Sequence, residues 1–263
     1  MLVLPPILST VCIVGGGSSA HVLIPFLSQQ THHKIHLLTR RPDDWQDIVT
    51  CELTDMKNQV LQSFHGRIDK KSHDPHQVIP EADIIILCMP VHQYRAVLTT
   101  VGPFLSKTKK EVYVGTIYGQ AGFNWMAHEM EKTFNLRNVI IFAIGLIPWI
   151  CRTLSYGSKV ANYGGKQMNG VAVTPKEKFH VLNQMFLEDI SFKPLGIGKF
   201  ALACSSLSLT LSVDNQIIHP ARCYGLWTQS GGRWSSLETV PFFYKVNRMI
   251  ILFIFDSLFL CCL

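Results

Sequence analysis

The 263-residue sequence predicts an α/β protein whose first part is a doubly wound, mostly parallel sheet. Apolar runs at 11–14 and 82–88 have the composition of strands that are buried on both faces, as in parallel sheets. Segments of helical character separate such runs, which is the alternation expected of strands joined by crossover helices. From about Leu202 the apolar residues change to helical spacing, so we expect an all-helical second domain to start there.

The individual elements follow from the same two signals. Apolar runs predict the strands, and the segments after each turn predict the helices. The polar stretch from 43 to 76 carries the weakest signals. The expected elements are, in order, a strand at 11–14, a helix at 20–27, a strand at 35–39, a helix around 52–63, a short strand near 66, a strand at 82–90, a helix at 92–104, a strand at 112–117, a turn at 118–122, a helix to about 134, a strand at 138–144, a short antiparallel pair within 157–173, a helix at 175–188 and a strand near 191.

Composition favours a reduced globular protein without a nucleic-acid partner. The hydrophobic fraction of 48% supports ordinary buried cores, and the net charge of +6 is modest for this length. No run of lysine and arginine exceeds two residues, which disfavours a nucleic-acid face. Eight cysteines without a C-x-x-C pair predict a cytosolic chain. The first residues lack the charged region and cleavage site of a signal peptide, so we expect no export.

A glycine-rich turn follows the first predicted strand. Gly15, Gly17 and Ala20 fit the pattern G-x-G-x-x-[GA], in which the three positions serve a tight turn, close approach of backbone to a pyrophosphate, and packing of helix on strand. The other residues of the turn are Gly16, Ser18 and Ser19. The following helix presents its N-terminus to the phosphates. We therefore expect a dinucleotide site of the Rossmann type; the alternative is a plain connection between strand and helix.

Arg40 and Arg41 stand about 20 residues beyond the glycines, where the ribose contact of such a site belongs. An acidic residue there would bond the 2′-hydroxyl of NAD, whereas arginine accommodates the 2′-phosphate of NADP. NADP is therefore mildly preferred over NAD. The alternative is that both arginines are solvated loop charges before Pro42.

The segment 89–92 is a further candidate for ligand contact. Met89 and Pro90 end a central strand at the crevice where α/β sheets hold ligands, and we expect them to contact the ribose or nicotinamide. His92 follows and is equally well explained as a polar residue at a helix start. The histidine-rich stretches at 32–36 and 73–76 lack a companion Cys/His pair, so no metal site is predicted.

Four segments together resemble the octopine/nopaline (opine) dehydrogenase family. They are GGGSSAH at 15–21, YGQAG at 118–122, IPWICR at 147–152 and DNQIIHP at 214–220, and their order and spacing cover residues 11 to about 245. The resemblance implies a first domain that binds a nicotinamide dinucleotide and a helical second domain that acts on an amino acid and a 2-oxo acid, with pyruvate expected as the oxo acid. The implied reaction is reductive condensation to an N-(1-carboxyalkyl) amino acid.

The same resemblance implies roles for particular residues. His219 is the implied catalytic acid/base, a role that suits histidine because its pKa lies near neutrality; the alternative is a packing or cap histidine before Pro220. Gln120, Cys151 and Asn215 match positions that line the substrates, and Arg152 is a further candidate carboxylate partner. Gln120 could instead be a turn residue, Cys151 a small buried hydrophobe, and Arg152 a surface charge.

The chain departs from the family in two places. Ser18-Ser19 stands where the family usually has Asn-Gly, which puts an extra side chain in the phosphate turn. The helical domain, with its acidic partner for the histidine, is expected to be cut short after about Lys245.

We therefore expect an NAD(P)-binding domain at 1–200, a partial helical domain at 201–248 and an atypical apolar tail at 249–263. The tail is expected to be a truncated or mis-spliced end; the alternatives are a buried helix or a membrane anchor, which its 15 residues disfavour.

Two other functions stay open from the sequence. One is a catalytically inactive dinucleotide-binding module, and the other is a simple NADP-dependent 2-oxo-acid reductase that shares the same first domain. The expected partners are small molecules, with no membrane and no nucleic acid, and no oligomeric state is predicted.

Overall fold

The computed structural model describes residues 8–55, 57–191, 199–212, 221, 224, 225 and 228. One compact unit ends at Leu211 and a second comprises Ser212–Leu263. Almost all described residues belong to the first unit, so the expected division into 1–200, 201–248 and 249–263 stays a prediction. Within the described part, no helix is long and apolar enough to cross a membrane.

The described elements are twelve strands and seven α-helices. The strands are β1 (Ser9–Val14), β2 (His33–Leu38), β3 (Ile48–Thr54), β4 (Val60–Arg67), β5 (Lys70–Ser72), β6 (Ile84–Leu87), β7 (Val112–Thr116), β8 (Val139–Ile144), β9 (Trp149–Ser155), β10 (Lys159–Gly165), β11 (Met168–Thr174) and β12 (Lys199–Leu202). The helices are α1 (Ser18–Ser28), α2 (Pro75–Val78), α3 (Tyr94–Leu105), α4 (Phe123–Phe134), α5 (Phe179–Leu182), α6 (Glu188–Ile190) and α7 (Ser206–Thr210). A π-helical turn, Asn183–Leu187, joins α5 to α6.

The main sheet has the strand order β12-β11-β8-β7-β6-β1-β2-β5. Strands β5, β2, β1, β6, β7 and β8 pair in parallel, and β11 joins β8 antiparallel. The chain runs outward from β1 in one direction and then returns to continue from β6 in the other, which is the doubly wound order. The predicted fold class is confirmed.

The strand alternation divides the core in two. Ile13 and Ile86 point into one hydrophobic cluster with α1 and the 179–190 helical segment. Val14 and Leu87, their chain neighbours, point into the other cluster with α3 and α4. Successive side chains of a strand face opposite sides, so continuous apolar runs are what a sheet covered on both faces requires.

A second sheet, of order β4-β3-β10-β9, covers the outer side of α1. Helix α1 is therefore enclosed between two sheets, and its residues 19–27 are all buried. This explains why the helix is apolar around its whole circumference. The second sheet has consequences for the site because β9, β10 and the turn between them reach the glycine-rich turn.

Two expectations for local structure were wrong. The helix expected around 52–63 is the hairpin β3–β4, which turns where the Asp55 carboxylate accepts hydrogen bonds from the backbone N–H groups of Lys57 and Gln59, both at 2.8 Å. Asn58 adopts φ 64°, which a turn tolerates and a helix does not. The antiparallel pair expected within 157–173 is divided: β10 pairs with β9, whereas β11 belongs to the main sheet.

Candidate functional site

A cavity of about 440 Å³ opens at the carboxyl ends of β1, β2 and β6. This is the point where the strand order reverses, the usual ligand crevice of a doubly wound sheet. The volume lies within the range of small-molecule sites. Among its lining residues are Gly15, Gly16, Gly17, Thr39, Arg40, Arg41, Met89, Pro90 and Tyr156. The structure thus brings the predicted glycines, arginines and Met89-Pro90 around one cavity.

The three glycines have different reasons for lacking a side chain. Gly15 has φ +120°, and a Cβ there would lie 2.5 Å from the carbonyl oxygen of Cys88. A Cβ on Gly16 would meet the Tyr156 hydroxyl at 2.6 Å, whereas one on Gly17 would meet nothing closer than 3.5 Å. Gly15 is thus required by the backbone, while Gly17 leaves open space beside the cavity. The cradle fits a pyrophosphate.

Ser18 and Ser19 turn away from the cavity toward the second sheet. The Ser18 hydroxyl lies 3.0 Å from the Thr153 hydroxyl and accepts a hydrogen bond from the Thr153 backbone N–H at 3.1 Å. Ser19 hydrogen-bonds to the thiol of Cys151. Ala20 is fully buried where the helix packs. Any contact of these three residues with a phosphate would therefore be made by the backbone at the helix N-terminus.

Arg40 and Arg41 are exposed at the cavity rim. Arg41 already has two neighbours: its Nη1 lies 3.4 Å from the Asp44 carboxylate, and its guanidinium carbon lies 4.7 Å from the centre of the Tyr156 ring. The ion pair is solvent-exposed and hence weak. A phosphate could therefore compete with Asp44 for Arg41.

Tyr156 lines the cavity although no sequence pattern predicts it as a site residue. It lies between β9 and β10 of the second sheet, in an aromatic group with His21 and Trp45, whose rings lie 5.7 and 5.6 Å from its own. Gly157 follows it with φ +72°, and a Cβ there would clash with the backbone of Asp44. The glycine after an aromatic residue was a visible turn signal, but nothing in the sequence pairs this turn with the glycine-rich one.

His21 connects the two turns. Its Nδ1–H donates to the Gly17 carbonyl at 2.9 Å, and its Nε2 accepts from the backbone N–H of Gly157 at 2.8 Å. Both ring nitrogens are thus used by a neutral imidazole. Burial lowers the pKa of His21 from its ordinary value, and the hydrogen bond to Gly17 opposes this only in part. The neutral ring ties the phosphate turn to the second sheet.

Gln120 is fully buried beyond β7. The Tyr118 hydroxyl donates to its Oε1 at 3.0 Å, whereas its Nε2 has no hydrogen-bond partner among the described residues. A buried N–H donor without a hydrogen-bond partner is unfavourable unless a bound group accepts a hydrogen bond from it. This amide is therefore free to bind a carboxylate or carbonyl oxygen.

Cys151 and Arg152 do not come together. They are neighbours on β9, so their side chains point to opposite faces: Cys151 is buried against α1, and Arg152 is exposed. Burial raises the pKa of the Cys151 thiol to about 11, against the opposing effects of Arg152 and Ser19. The thiol is thus neutral and packed under the phosphate turn. Asn215 and His219 lie outside the described residues.

The doubly wound sheet, the glycine cradle and the crevice at the switch point together define a Rossmann-type dinucleotide-binding fold. No protein-family model matches the chain. The chain is nevertheless a relative of the opine dehydrogenases, as the four sequence segments predicted. It is 22% identical over 252 residues to the opine dehydrogenase of Haliotis discus hannai, a match that covers 90% of this chain and 58% of that protein.

Solved structures agree on the fold. Octopine dehydrogenase with NADH and L-arginine superposes with a TM-score of 0.68 and 21% identity, covering 87% of this chain and 55% of that one. Yersinopine dehydrogenase with NADP⁺ bound gives a TM-score of 0.60 and 17% identity, covering 76% and 48%. The chain thus spans somewhat more than half the length of the opine dehydrogenase it matches.

Proposed function

We propose that this chain belongs to an NAD(P)H-dependent oxidoreductase of the opine dehydrogenase type, in which residues 1–200 bind the dinucleotide. The observation that carries the proposal is the cavity at the strand ends, which combines a cradle of three glycines with an arginine pair at its rim. The relatives support the same assignment, since octopine and yersinopine dehydrogenase have NADH and NADP⁺ in their structures.

The proposed reaction joins a 2-oxo acid, with pyruvate as the first candidate, to an amino acid. Octopine dehydrogenase also has a structure with pyruvate, which supports this choice. A bound reduced nicotinamide supplies hydride to the imine carbon that the two substrates form. His219 is proposed to take a proton from the substrate amine and to protonate the carbonyl oxygen that leaves as water.

The remaining residues are proposed to bind and orient. Arg40 and Arg41 hold the ribose 2′-phosphate, which gives the mild preference for NADP, and Met89 and Pro90 contact the ribose or nicotinamide. The buried Nε2 of Gln120 donates to a substrate oxygen. Asn215 is proposed to contact a substrate as well. The buried Cys151 and the outward-facing Arg152 are better assigned to packing and to the surface, respectively.

A dinucleotide-binding module without turnover is the second candidate, because the cavity with its glycine cradle and arginine pair needs no catalytic group to bind a dinucleotide. One assay series separates the candidates, namely NADPH and NADH oxidation with pyruvate alone and then with pyruvate and a panel of amino acids. Amine-dependent oxidation supports the opine reaction, and amine-independent oxidation indicates a simple 2-oxo-acid reductase. Tight dinucleotide binding without oxidation supports the module, and absence of binding overturns all three.

A further inference from the structure

Two adjacent histidines and a distant aspartate meet at the amino-terminal ends of the main-sheet strands, opposite the cavity. His32 and His33 stand at the start of β2, and Asp189 lies on α6. Oδ2 of Asp189 lies 2.8 Å from Nε2 of His32 and 2.8 Å from Nε2 of His33. The six residues of β1 span about 16 Å between these strand ends and the cavity. The cluster is therefore separate from the dinucleotide site.

The three donor atoms are of the kinds that zinc-class ions prefer. Two imidazole nitrogens and one carboxylate oxygen lie within 4.8 Å of one another. Neighbouring ligands of a tetrahedral ion stand about 3.3 Å apart, so the two 2.8 Å distances would need to lengthen by only about 0.5 Å. The His33 side chain is fully buried, while those of His32 and Asp189 keep 10% and 14% exposure, which leaves an opening for a fourth, water ligand.

The surroundings also supply an outer partner. Oγ of Ser9 lies 2.7 Å from Nδ1 of His33. A metal-binding histidine commonly gives its other ring N–H to such an acceptor, which fixes the tautomer and the orientation of the ring. The Ser9 backbone N–H also donates to the His32 carbonyl at 3.0 Å, so the parallel pairing of β1 with β2 holds both histidines in place.

From this geometry we propose that His32, His33 and Asp189 form a structural binding site for a divalent transition-metal ion of the zinc class. The ion joins the start of β2 to α6. The sequence analysis predicted no metal because neither histidine stretch has a nearby companion ligand; the third ligand stands 156 residues beyond His33.

Equilibrium dialysis of the chelator-treated full chain against Zn²⁺ tests the proposal, and Co²⁺ absorption in the visible reports the coordination without any mutation. We expect one ion per chain and a tetrahedral Co²⁺ spectrum without thiolate bands. Asp189→Asn should weaken binding more than about 100-fold, and Ser9→Ala by about 10- to 100-fold, the range for an outer partner. His65→Ala, which removes an exposed histidine on β4, and Cys204→Ser, which removes an exposed thiol, should bind as wild type does.

Thermal melts of every variant establish that it folds, and Zn²⁺ should raise the melting temperature of wild type but not that of Asp189→Asn. Absence of a tetrahedral Co²⁺ spectrum in wild type would identify the cluster as a hydrogen-bonded triad only, whether or not the variants fold. Equal binding by wild type and a folded Asp189→Asn would likewise overturn the proposal. Neither readout involves the dinucleotide, so the proposal stands or fails independently of the proposed function.

Discussion

The hydroxyl of Tyr156 stands against Gly16, so that a Cβ on that glycine would lie 2.6 Å from it. Tyr156 comes from the turn between β9 and β10, while Gly16 belongs to the turn after β1. The Arg41 guanidinium also lies over the face of the Tyr156 ring. The second sheet thus forms one wall of the cavity that opens at the strand ends of the main sheet.

Alanine substitutions at Gly15 and Gly17 should have different effects on stability and on dinucleotide binding. Gly15→Ala places a side chain at φ +120° against the Cys88 carbonyl, and we expect it to lower the free energy of unfolding by about 1–3 kcal/mol or more. Gly17→Ala meets only ordinary contacts, but Gly17 is the N-cap of α1, where alanine is less favourable than glycine, so it should lower the free energy of unfolding by no more than about 1 kcal/mol. Gly17→Ala should still weaken dinucleotide binding about 10- to 100-fold, because its methyl group takes the space of a phosphate contact. Urea unfolding measures the stability and dinucleotide titration measures the binding. If Gly17→Ala bound the dinucleotide as tightly as wild type, the assignment of the pyrophosphate to this turn would be wrong.

The Arg41–Asp44 pair predicts how cofactor preference can be adjusted. Arg40→Asp should reduce the preference for NADPH over NADH by about 1–3 kcal/mol, the range for charge-assisted hydrogen bonds. Asp44→Asn should instead increase that preference, by up to about fivefold, because it releases Arg41 from an exposed ion pair. Asp43→Asn removes the same charge one position away and serves as the control. Dissociation constants for both cofactors decide the matter; an unchanged ratio in Arg40→Asp would contradict the role of the arginines.

His21 predicts a loss of stability in acid. Its folded pKa lies below the unfolded value of about 6.5, so the unfolded chain binds a proton that the folded chain does not. The stabilisation is complete above about pH 6.5 and is lost as the pH falls toward the folded pKa. Urea unfolding at about pH 7.5 and about pH 5.5 should show this loss in wild type and a smaller one in His21→Gln. Some dependence remains from His36, whose pKa burial also lowers, and His65→Ala should behave as wild type does.

The main sheet was predictable because each of its central strands is an apolar run buried on both faces, a pattern local to the run itself. The second sheet could not be predicted from such local patterns. Its edge strand β4 exposes most of its residues, and β3 pairs with β10, about 100 positions away. The two central strands of that sheet therefore carry no sign of each other in the sequence. The helix expected at 52–63 was wrong for this reason, since short amphipathic strands next to a polar turn give a weak periodic signal.

The candidate site likewise has a part that local sequence patterns predict and a part that they do not. The glycines, the arginines and Met89-Pro90 follow strands of the main sheet, and strand order alone brings them to one edge. Tyr156 contributes through the second sheet, and its place depends on a pairing that no local pattern encodes. Arg152 follows Cys151 along the chain, but strand geometry sends neighbouring side chains to opposite faces, so the two do not line one site.

Gln120 predicts a loss of substrate binding without a loss of stability. Gln120→Leu removes one hydrogen bond from Tyr118, of about 0.5–1.5 kcal/mol, but also an unsatisfied buried N–H group whose burial costs about 1–3 kcal/mol. The free energy of unfolding should therefore stay level or rise. If turnover is found, kcat/KM should fall about 10- to 100-fold. Asn124→Leu, at another buried amide without a partner in the described part of the chain, is the matched control; equal losses in both variants would argue against a specific role for Gln120.

His219 gives the most direct test of the proposed chemistry. A positioned acid/base contributes about 10²- to 10⁴-fold to the rate, so His219→Ala and His219→Gln should lower kcat by that factor if turnover is found. Dinucleotide affinity should stay nearly unchanged, because the glycine cradle and the arginine pair belong to the main sheet. The split distinguishes catalysis from folding, since a misfolded variant would lose cofactor binding as well. The pH dependence of kcat/KM adds a second reading: its limb near neutrality should vanish in His219→Gln. Full activity in either variant would reduce His219 to a packing residue and remove the acid/base from the proposal.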